Sequence, residues 1–224
     1  MRVLCLLNGG PDHPSTRFRI LQHLDSLHRR GLETDLMIAK RDAGYGILDL
    51  RRRAGAADVV LVQKKLLAPW KLSLIPGRVP IVFDFDDAVF EASPDEEERF
   101  GPARAGRRAR SRRRRLSAVL GRAAVTIAGN GFLAEYARAL TPRVTVLPTG
   151  VDLAPFPDEA VRRAAARRRA GTGERRIGWI GSRPSLRYLA ALTGPLRAAC
   201  ARVPGARVVQ VSNAFADLPG VPVE

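Results

Sequence analysis

Apolar positions along this chain come in short runs punctuated by glycine, proline and asparagine. Residues 3–7 (VLCLL), 59–62 (VVLV), 81–85 (IVFDF) and 125–128 (VTIA) have strand length and β-forming composition. Leu32, Thr34, Leu36 and Ile38 alternate as a half-buried strand does. Between the runs the spacing turns helical. Phe18, Ile20, Leu21, Leu24 and Leu27 predict a helix capped by Ser15 and ended by Gly31. A weaker helix is expected over 47–54, one broken near Pro69 over 65–74, and another through Leu116, Val119 and Leu120.

Residues 123–152 carry the clearest unit. A strand at 125–128 is followed by the turn Gly129-Asn130-Gly131. A helix through Phe132, Leu133, Tyr136, Ala137 and Leu140 then runs to Thr141-Pro142. Val144, Val146 and Leu147 form a second strand, broken by Pro148-Thr149-Gly150. Strand, helix and strand in about 25 residues predict a βαβ unit with parallel strands. Six strands with crossovers predict an α/β chain: a Rossmann-like, doubly wound parallel sheet with helices on both faces. Ligands gather beyond the carboxyl ends of such strands, so the loops after Leu7, Phe85, Ala128 and Leu147 are the ones to inspect.

Beyond Asp152 the composition shifts. Pro155 and Pro157 mark a linker, and 158–170 is an alanine–arginine helix without a clear apolar stripe. A strand at 177–180, a turn at Gly181-Ser182, a helix over 184–202 and a strand at 208–211 then start a second sheet. The expected division is 1–150 for a first domain, 151–174 for linker and helix, and 175–224 for an incomplete second Rossmann-like domain. Two strands cannot bury both their faces, so Ile177, Trp179 and Val209 are expected to be exposed.

The formal net charge is +16 and the isoelectric point about 11.4. That balance admits nucleic acid, anionic membrane or phosphorylated ligands as partners. Lysine is scarce and arginine abundant beside alanine and glycine, a pattern that codon bias in a GC-rich genome also produces. No run approaches the roughly 20 apolar residues of a membrane span, and the N-terminal segment is too short for a signal peptide core. Cys5 and Cys200 fit small core residues in a reducing compartment, so a cytoplasmic location is expected.

Four stretches carry chemistry. In NGGPDHPSTRFR (8–19), Gly9 and Gly10 let backbone amides approach a phosphate or sugar. Arg17 and Arg19 in the first helical turn oppose the helix dipole, which a bound anion would offset. His13 reads as a solvated loop histidine. The lack of GxGxxG argues against a nicotinamide enzyme. Asp84, Asp86 and Asp87 stand where the fourth strand opens, able to bind a metal, orient sugar hydroxyls or hold Arg17 or Arg19. In RIGWIGSRPSLRYL (176–189) a strand again ends in Gly-Ser before a helix. From Arg104 to Arg115, arginines fall on every side of any helix drawn through the stretch. It reads as a solvated, flexible arm or as an attachment to anionic lipid, worth about 1 kcal/mol per cation. Nucleic acid is disfavoured, because no aromatics are interleaved and no reader motif is present.

Taken together, several of these motifs resemble family 4 glycosyltransferases. They are the Gly-Asn-Gly turn, the run Leu147-Pro148-Thr149-Gly150-Val151-Asp152, the start Ser15-x-Arg17-x-Arg19, the segment Asp84-x-Asp86-Asp87-Ala88, and IGWIGSRPSLRYL at 177–189. The resemblance implies the GT-B arrangement of two facing Rossmann-like domains. It also implies retaining transfer from a nucleotide-sugar, a UDP- or GDP-sugar, to a sugar or lipid-linked acceptor, with no cofactor and no obligatory metal. On the same ground Asp86 and Asp87 would be catalytic. Gly9, Gly10, Arg17, Arg19, Asp84 and Asn130 would line the acceptor side of the cleft, and Gly181, Ser182, Arg183 and Arg187 would meet the donor. Arg183 departs from the family's wording here. The family's E-x7-E segment is missing, so the chain as given reads as a fragment without turnover of its own. The arginine stretch would place the enzyme on the inner face of the plasma membrane.

Two other classes fit parts of the chain. Asp84-x-Asp86 resembles the opening motif of haloacid dehalogenase-like phosphatases, with Asp84 as nucleophile and Asp86 as general acid. It departs from that motif in having Ala88, in following the fourth strand, and in lacking a later aspartate pair. The third class is a non-catalytic basic module binding anionic membrane or nucleic acid.

Overall fold

The computed structural model describes residues 1–39, 45–154, 156–171 and 173–224. They form two compact units, Met1–Asp152 and Leu153–Glu224. The first is built on six strands: β1 (Arg2–Leu7), β2 (Glu33–Ile38), β3 (Val59–Gln63), β4 (Ile81–Phe85), β5 (Ala123–Ala128) and β6 (Val144–Val146). Every pairing is parallel and the order is β2-β1-β3-β4-β5-β6. The order reverses beside β1, so a crevice opens at the carboxyl ends of β1 and β3.

Alternation along the strands sorts the side chains. Leu4, Leu6, Val60, Val62, Ile81, Phe83 and Phe85 point into one face, the main core. Helices α3 (Ile47–Gly55), α6 (Pro102–Arg122) and α7 (Gly131–Arg138) cover it through Leu50, Ala54, Leu116, Val119, Leu120, Leu133, Ala134 and Ala137. The other face carries Val3, Cys5, Leu7 and Leu61, with Ile20 and Leu24 above them. Asp84, between Phe83 and Phe85, therefore projects to that second face, where α1 (Pro14–Arg19) lies.

Several elements differ from expectation. The helix expected from Ser15 to Gly31 is three pieces: α1, a 3-10 turn at Leu21–His23, and α2 (Leu24–Arg29). Ile20, at φ −125° and ψ −62°, makes the break. Ser15 is not the cap; His13 holds that position without a side-chain bond, ahead of Pro14. Of 65–74 only α4 (Pro69–Leu72) is helical, because Pro69 starts the helix and keeps Ala68 extended. The buried stripe of α7 is Leu133, Ala134 and Ala137, leaving Phe132 and Leu140 exposed.

The arginine stretch is the largest correction. It is no flexible arm but the first two-thirds of α6, a regular helix of 21 residues. Ala105 and Ala109 continue the buried line of Leu116, Val119 and Leu120 at spacings of three, four and seven. Alanines draw that line too faintly to stand out among arginines. The acidic helix α5 (Pro94–Phe100), closed by a Ser93–Glu96 capping box, lies along it. Glu96 accepts from Arg108 at 3.1 Å and from Arg112 at 2.9 and 2.7 Å, and Glu91 pairs with Arg113 at 2.5 Å.

The second unit has α8 (Glu159–Ala170), β7 (Arg175–Ile180), α9 (Leu186–Ala191), α10 (Thr193–Arg202) and β8 (Ala206–Val211). The helix expected over 184–202 breaks at Leu192, and Pro195 denies the next turn an amide. Strands β7 and β8 pair in parallel over their full length, and Val223 bridges to Val208. Trp179 is not exposed as expected. It packs with Leu189, Val208, Leu218 and Val221, and Val209 is likewise half-buried, whereas Ile177 is exposed as expected, together with Ile180 (81%), Phe215 and Val211.

Candidate functional site

Three aspartates leave the end of β4, and the fold separates them. Asp84 faces α1 and is closed over by Arg19. The Arg19 Nε donates to its two oxygens at 3.0 and 2.8 Å, and Nη2 donates at 2.5 Å. The remaining nitrogen, Nη1, donates to the Leu147 carbonyl at 3.1 Å and to Thr149 Oγ1 at 2.9 Å. Side-chain exposure is only 4% for Arg19 and 5% for Asp84. Burial raises the Asp84 carboxyl above its usual value and Arg19 opposes that rise, while the hydrogen bonds to Asp84 raise Arg19. This pair ties α1, β4 and the segment after β6 together.

Arg19 and Asp84 are thus paired with each other, as the sequence allowed, and both line a cavity of about 210 Å³ with Phe18, His23, Leu147 and Thr149. Asp84 cannot serve as a nucleophile with both oxygens held and buried, which removes the centre of the phosphatase reading. Arg17, two residues earlier, is exposed and stacks over Phe18 at 4.5 Å.

Asp86 and Asp87 sit on the loop beyond β4. Gly129 allows their position: a Cβ there would lie 2.9 Å from the Asp86 Cα. The Gly129 amide donates to the Phe85 carbonyl at 2.9 Å. Farther along, Phe90 is buried and stacks on Tyr136 of α7 at 3.9 Å between ring centroids. The loop is anchored at both ends.

The cation serving this loop is Lys64, which sequence reasoning missed. Its φ of 54° is the only positive value at a non-glycine among the described residues. Its amide donates to the Asp84 carbonyl at 2.7 Å. Its ammonium lies 2.9 Å from Ser15 Oγ and 3.0 Å from Asp86 Oδ1, and it also pairs with Asp87 Oδ2. Side-chain exposure is 6% for Lys64, 16% for Asp86 and 68% for Asp87. Burial resists ionisation of Asp86, but the hydrogen bond and charge of Lys64, with Ser15 and Arg19 behind it, hold its carboxyl below the usual value. A signal was present in the sequence: Gln63-Lys64 ends a buried strand at the ligand edge. One cation against two carboxylates leaves one negative charge, presented mainly by Asp87.

The other expected cleft residues divide. Asn130 caps α7, its Oδ1 accepting from the Leu133 amide at 2.9 Å. Gly9 is required by packing, since a Cβ would lie 2.8 Å from His13 Cβ. Gly10 faces open space. The two glycines, with Asn8, Asp12, His13 and Lys65, line a cavity of about 500 Å³ at the carboxyl end of β1.

In the second unit, Gly181 lies where a Cβ would meet the Trp179 ring at 2.5 Å. Ser185 closes the turn, with Oγ accepting from the Ser182 amide at 3.1 Å and donating to the Ser182 carbonyl at 2.8 Å. The Arg183 amide donates to Asn213 Oδ1 at 3.2 Å, joining the loops that follow β7 and β8. Arg187 Nη2 donates to the Tyr188 hydroxyl at 3.0 Å. Asn213, too, was not singled out from sequence.

No family model and no curated protein matches this chain. Among solved structures it is similar to HepE of Anabaena in complex with UDP and glucose (TM-score 0.52, 13% identity, 94% of this chain and 60% of that one). It is also similar to an α-glucosyltransferase in complex with UDP and a 13-mer DNA containing an HMU base (TM-score 0.53, 13% identity, 94% and 56%). The chain spans about three fifths of the length of these proteins. The likeness is one of fold: a six-stranded parallel sheet flanked by helices, as in Rossmann-like structures of the GT-B type.

Proposed function

We propose that this chain belongs to a family 4-like glycosyltransferase that moves a sugar, with retention, from a nucleotide-sugar to a hydroxyl of a sugar or lipid-linked acceptor. The observation that carries this reading is the anchored loop with Asp86 and Asp87 at the carboxyl edge of the sheet, next to the β1/β3 crevice. Asp87 is the carboxylate able to meet an acceptor hydroxyl, orient it and draw its proton. Asp86, held by Lys64, fixes the loop and contributes negative charge. Gly181, Ser182, Arg183 and Arg187 are assigned to the donor's diphosphate. Support comes from HepE and the α-glucosyltransferase, similar in fold and solved with UDP.

The basic helix fits an anionic membrane surface. Arg107, Arg110 and Arg114 share one exposed face of α6 and have no carboxylate partner among the described residues. Replacing these three by serine should release the protein from anionic vesicles, whereas Arg112 and Arg113, engaged by Glu96 and Glu91, should matter less.

Saturation-transfer NMR with UDP- and GDP-hexoses tests the donor side, since it detects binding even at about millimolar dissociation constants. Transfer to the ribose protons is expected, weakened in Arg183→Ser. Absence of transfer from every nucleotide-sugar would overturn the reading. On the acceptor side, Asp87→Asn should lower sugar transfer at least about a hundredfold while the melting temperature stays near the parent's. Full activity in that variant would remove Asp87 from the mechanism.

A further inference from the structure

Gln63-Lys64-Lys65 ends β3, and the left-handed turn at Lys64 sends the two lysines to different places. Lys64 goes inward to Ser15, Asp86 and Asp87, so its charge is spent. Lys65 lines the 500 Å³ cavity with Asn8, Gly9, Gly10, Asp12 and His13, and has no carboxylate partner among the described residues. The Gly9 and Gly10 amides likewise donate to no protein acceptor among the described residues. Gly10 turns no side chain into the space. The cavity is thus lined by a half-buried lysine and by two glycines whose amides have no protein acceptor among the described residues, with one exposed carboxylate, Asp12, beside them.

We infer that this cavity is a subsite for a phosphoryl group carried by the acceptor. The chemistry follows from what is unmatched: cation and N–H donors without acceptors, as an anion of several oxygens requires. Burial, and then the charge of Lys71, lower the Lys65 pKa, so an anion in the cavity would relieve a cost the protein bears when empty. The chain has four lysines, Lys40, Lys64, Lys65 and Lys71, against 34 arginines. At Lys65 a compact point charge with three rotatable donors suits one end of a phosphoryl group. The word acceptor rests on the transferase reading; the phosphoryl subsite does not, and is tested without donor.

With so few lysines, reductive ¹³C-methylation gives each one its own NMR signal. Inorganic phosphate and glucose 6-phosphate should shift the Lys65 signal saturably and leave buried Lys64 in place. By calorimetry, Lys65→Gln should weaken glucose 6-phosphate about tenfold or more, the loss of one charged hydrogen bond. Asp12→Asn should strengthen it, and Arg29→Gln, an equal change in net charge on exposed α2, should leave it unchanged. Vesicles of phosphatidylcholine with phosphatidic acid form a further arm. A shift with the hexose phosphate assigns a soluble phosphosugar, and a shift with the vesicles alone assigns a lipid phosphate; either keeps the subsite. A Lys65 signal unmoved by all three probes would overturn it, as would equal weakening by Lys65→Gln and Arg29→Gln. Failure of nucleotide-sugars to bind while Lys65 still responds would sink the transferase reading alone.

Discussion

Two ion clusters sit within three residues of each other at the end of β4, each built from one cation and the aspartates of a single short stretch. Arg19 and Asp84 are sealed, at 4% and 5% exposure, with nearly every polar atom engaged. Lys64, Asp86 and Asp87 grade from 6% to 16% to 68%, so one end of that cluster reaches solvent. What separates them is strand geometry: Asp84 still obeys the alternation of β4 and is driven beneath α1, whereas Asp86 and Asp87 lie past its end. The sealed pair holds three segments together. The open cluster has an accessible carboxylate left for chemistry.

If this contrast is right, the largest effect comes from opening the sealed pair. Arg19→Met leaves Asp84 buried without a cation and should cost about 3–5 kcal/mol in urea unfolding, with most of it recovered in Arg19→Met/Asp84→Leu. A single variant as stable as the parent would mean that Asp84 finds water and the pair is not sealed.

Removing Lys64 should cost less, about 1–3 kcal/mol, because Asp86 and Asp87 can turn toward solvent. The more telling readout is the Asp86 carboxyl, which should titrate higher in both Lys64→Met and Lys64→Gly. The glycine variant keeps the left-handed turn without strain. An Asp86 titration unchanged in both would show that Lys64 does not set its charge.

Glu96, in the first turn of the helix that follows this loop, offers a solvent-side reference. Hydrogen bonds from Arg112, against a small burial cost and with Ser93 and Arg108 adding, hold its carboxyl down to about 2. A lowered carboxyl value means that its contribution is complete above the ordinary glutamate range and disappears as pH falls toward about 2. Glu96→Gln should therefore cost at most about 1 kcal/mol near neutrality. The difference from the parent should vanish in acid, which melting curves across that range would show.

Smallest of all is Asp87→Asn. With the side chain two-thirds exposed, its stability change should stay within about 0.5 kcal/mol. A larger loss would make Asp87 a structural partner of Lys64 and erase the contrast.

The sequence by itself determined the sheet. Apolar runs of strand length separated by turn residues left one economical solution, and residues 123–152 announced parallel strands through their βαβ spacing. It also marked the edge where chemistry collects, because Gly9, Gly10, Asp86, Asp87 and Gly129 all follow strand ends. Only the tertiary structure decided which charges were spent. Arg19 and Arg17 are equivalent in sequence, yet the direction of α1 buries one against Asp84 and leaves the other in solvent. Lys64 and Lys65 are neighbours, yet one positive φ sends the first to the aspartates and the second to the cavity. The arginine helix was hidden for a related reason, since Ala105 and Ala109 become a buried stripe only once the helix rests on the sheet and α5 neutralises part of its charge. Hydrophobic periodicity is local and can be read along a chain. The pairing of charges depends on which segments meet, and that is settled only when the sheet has formed.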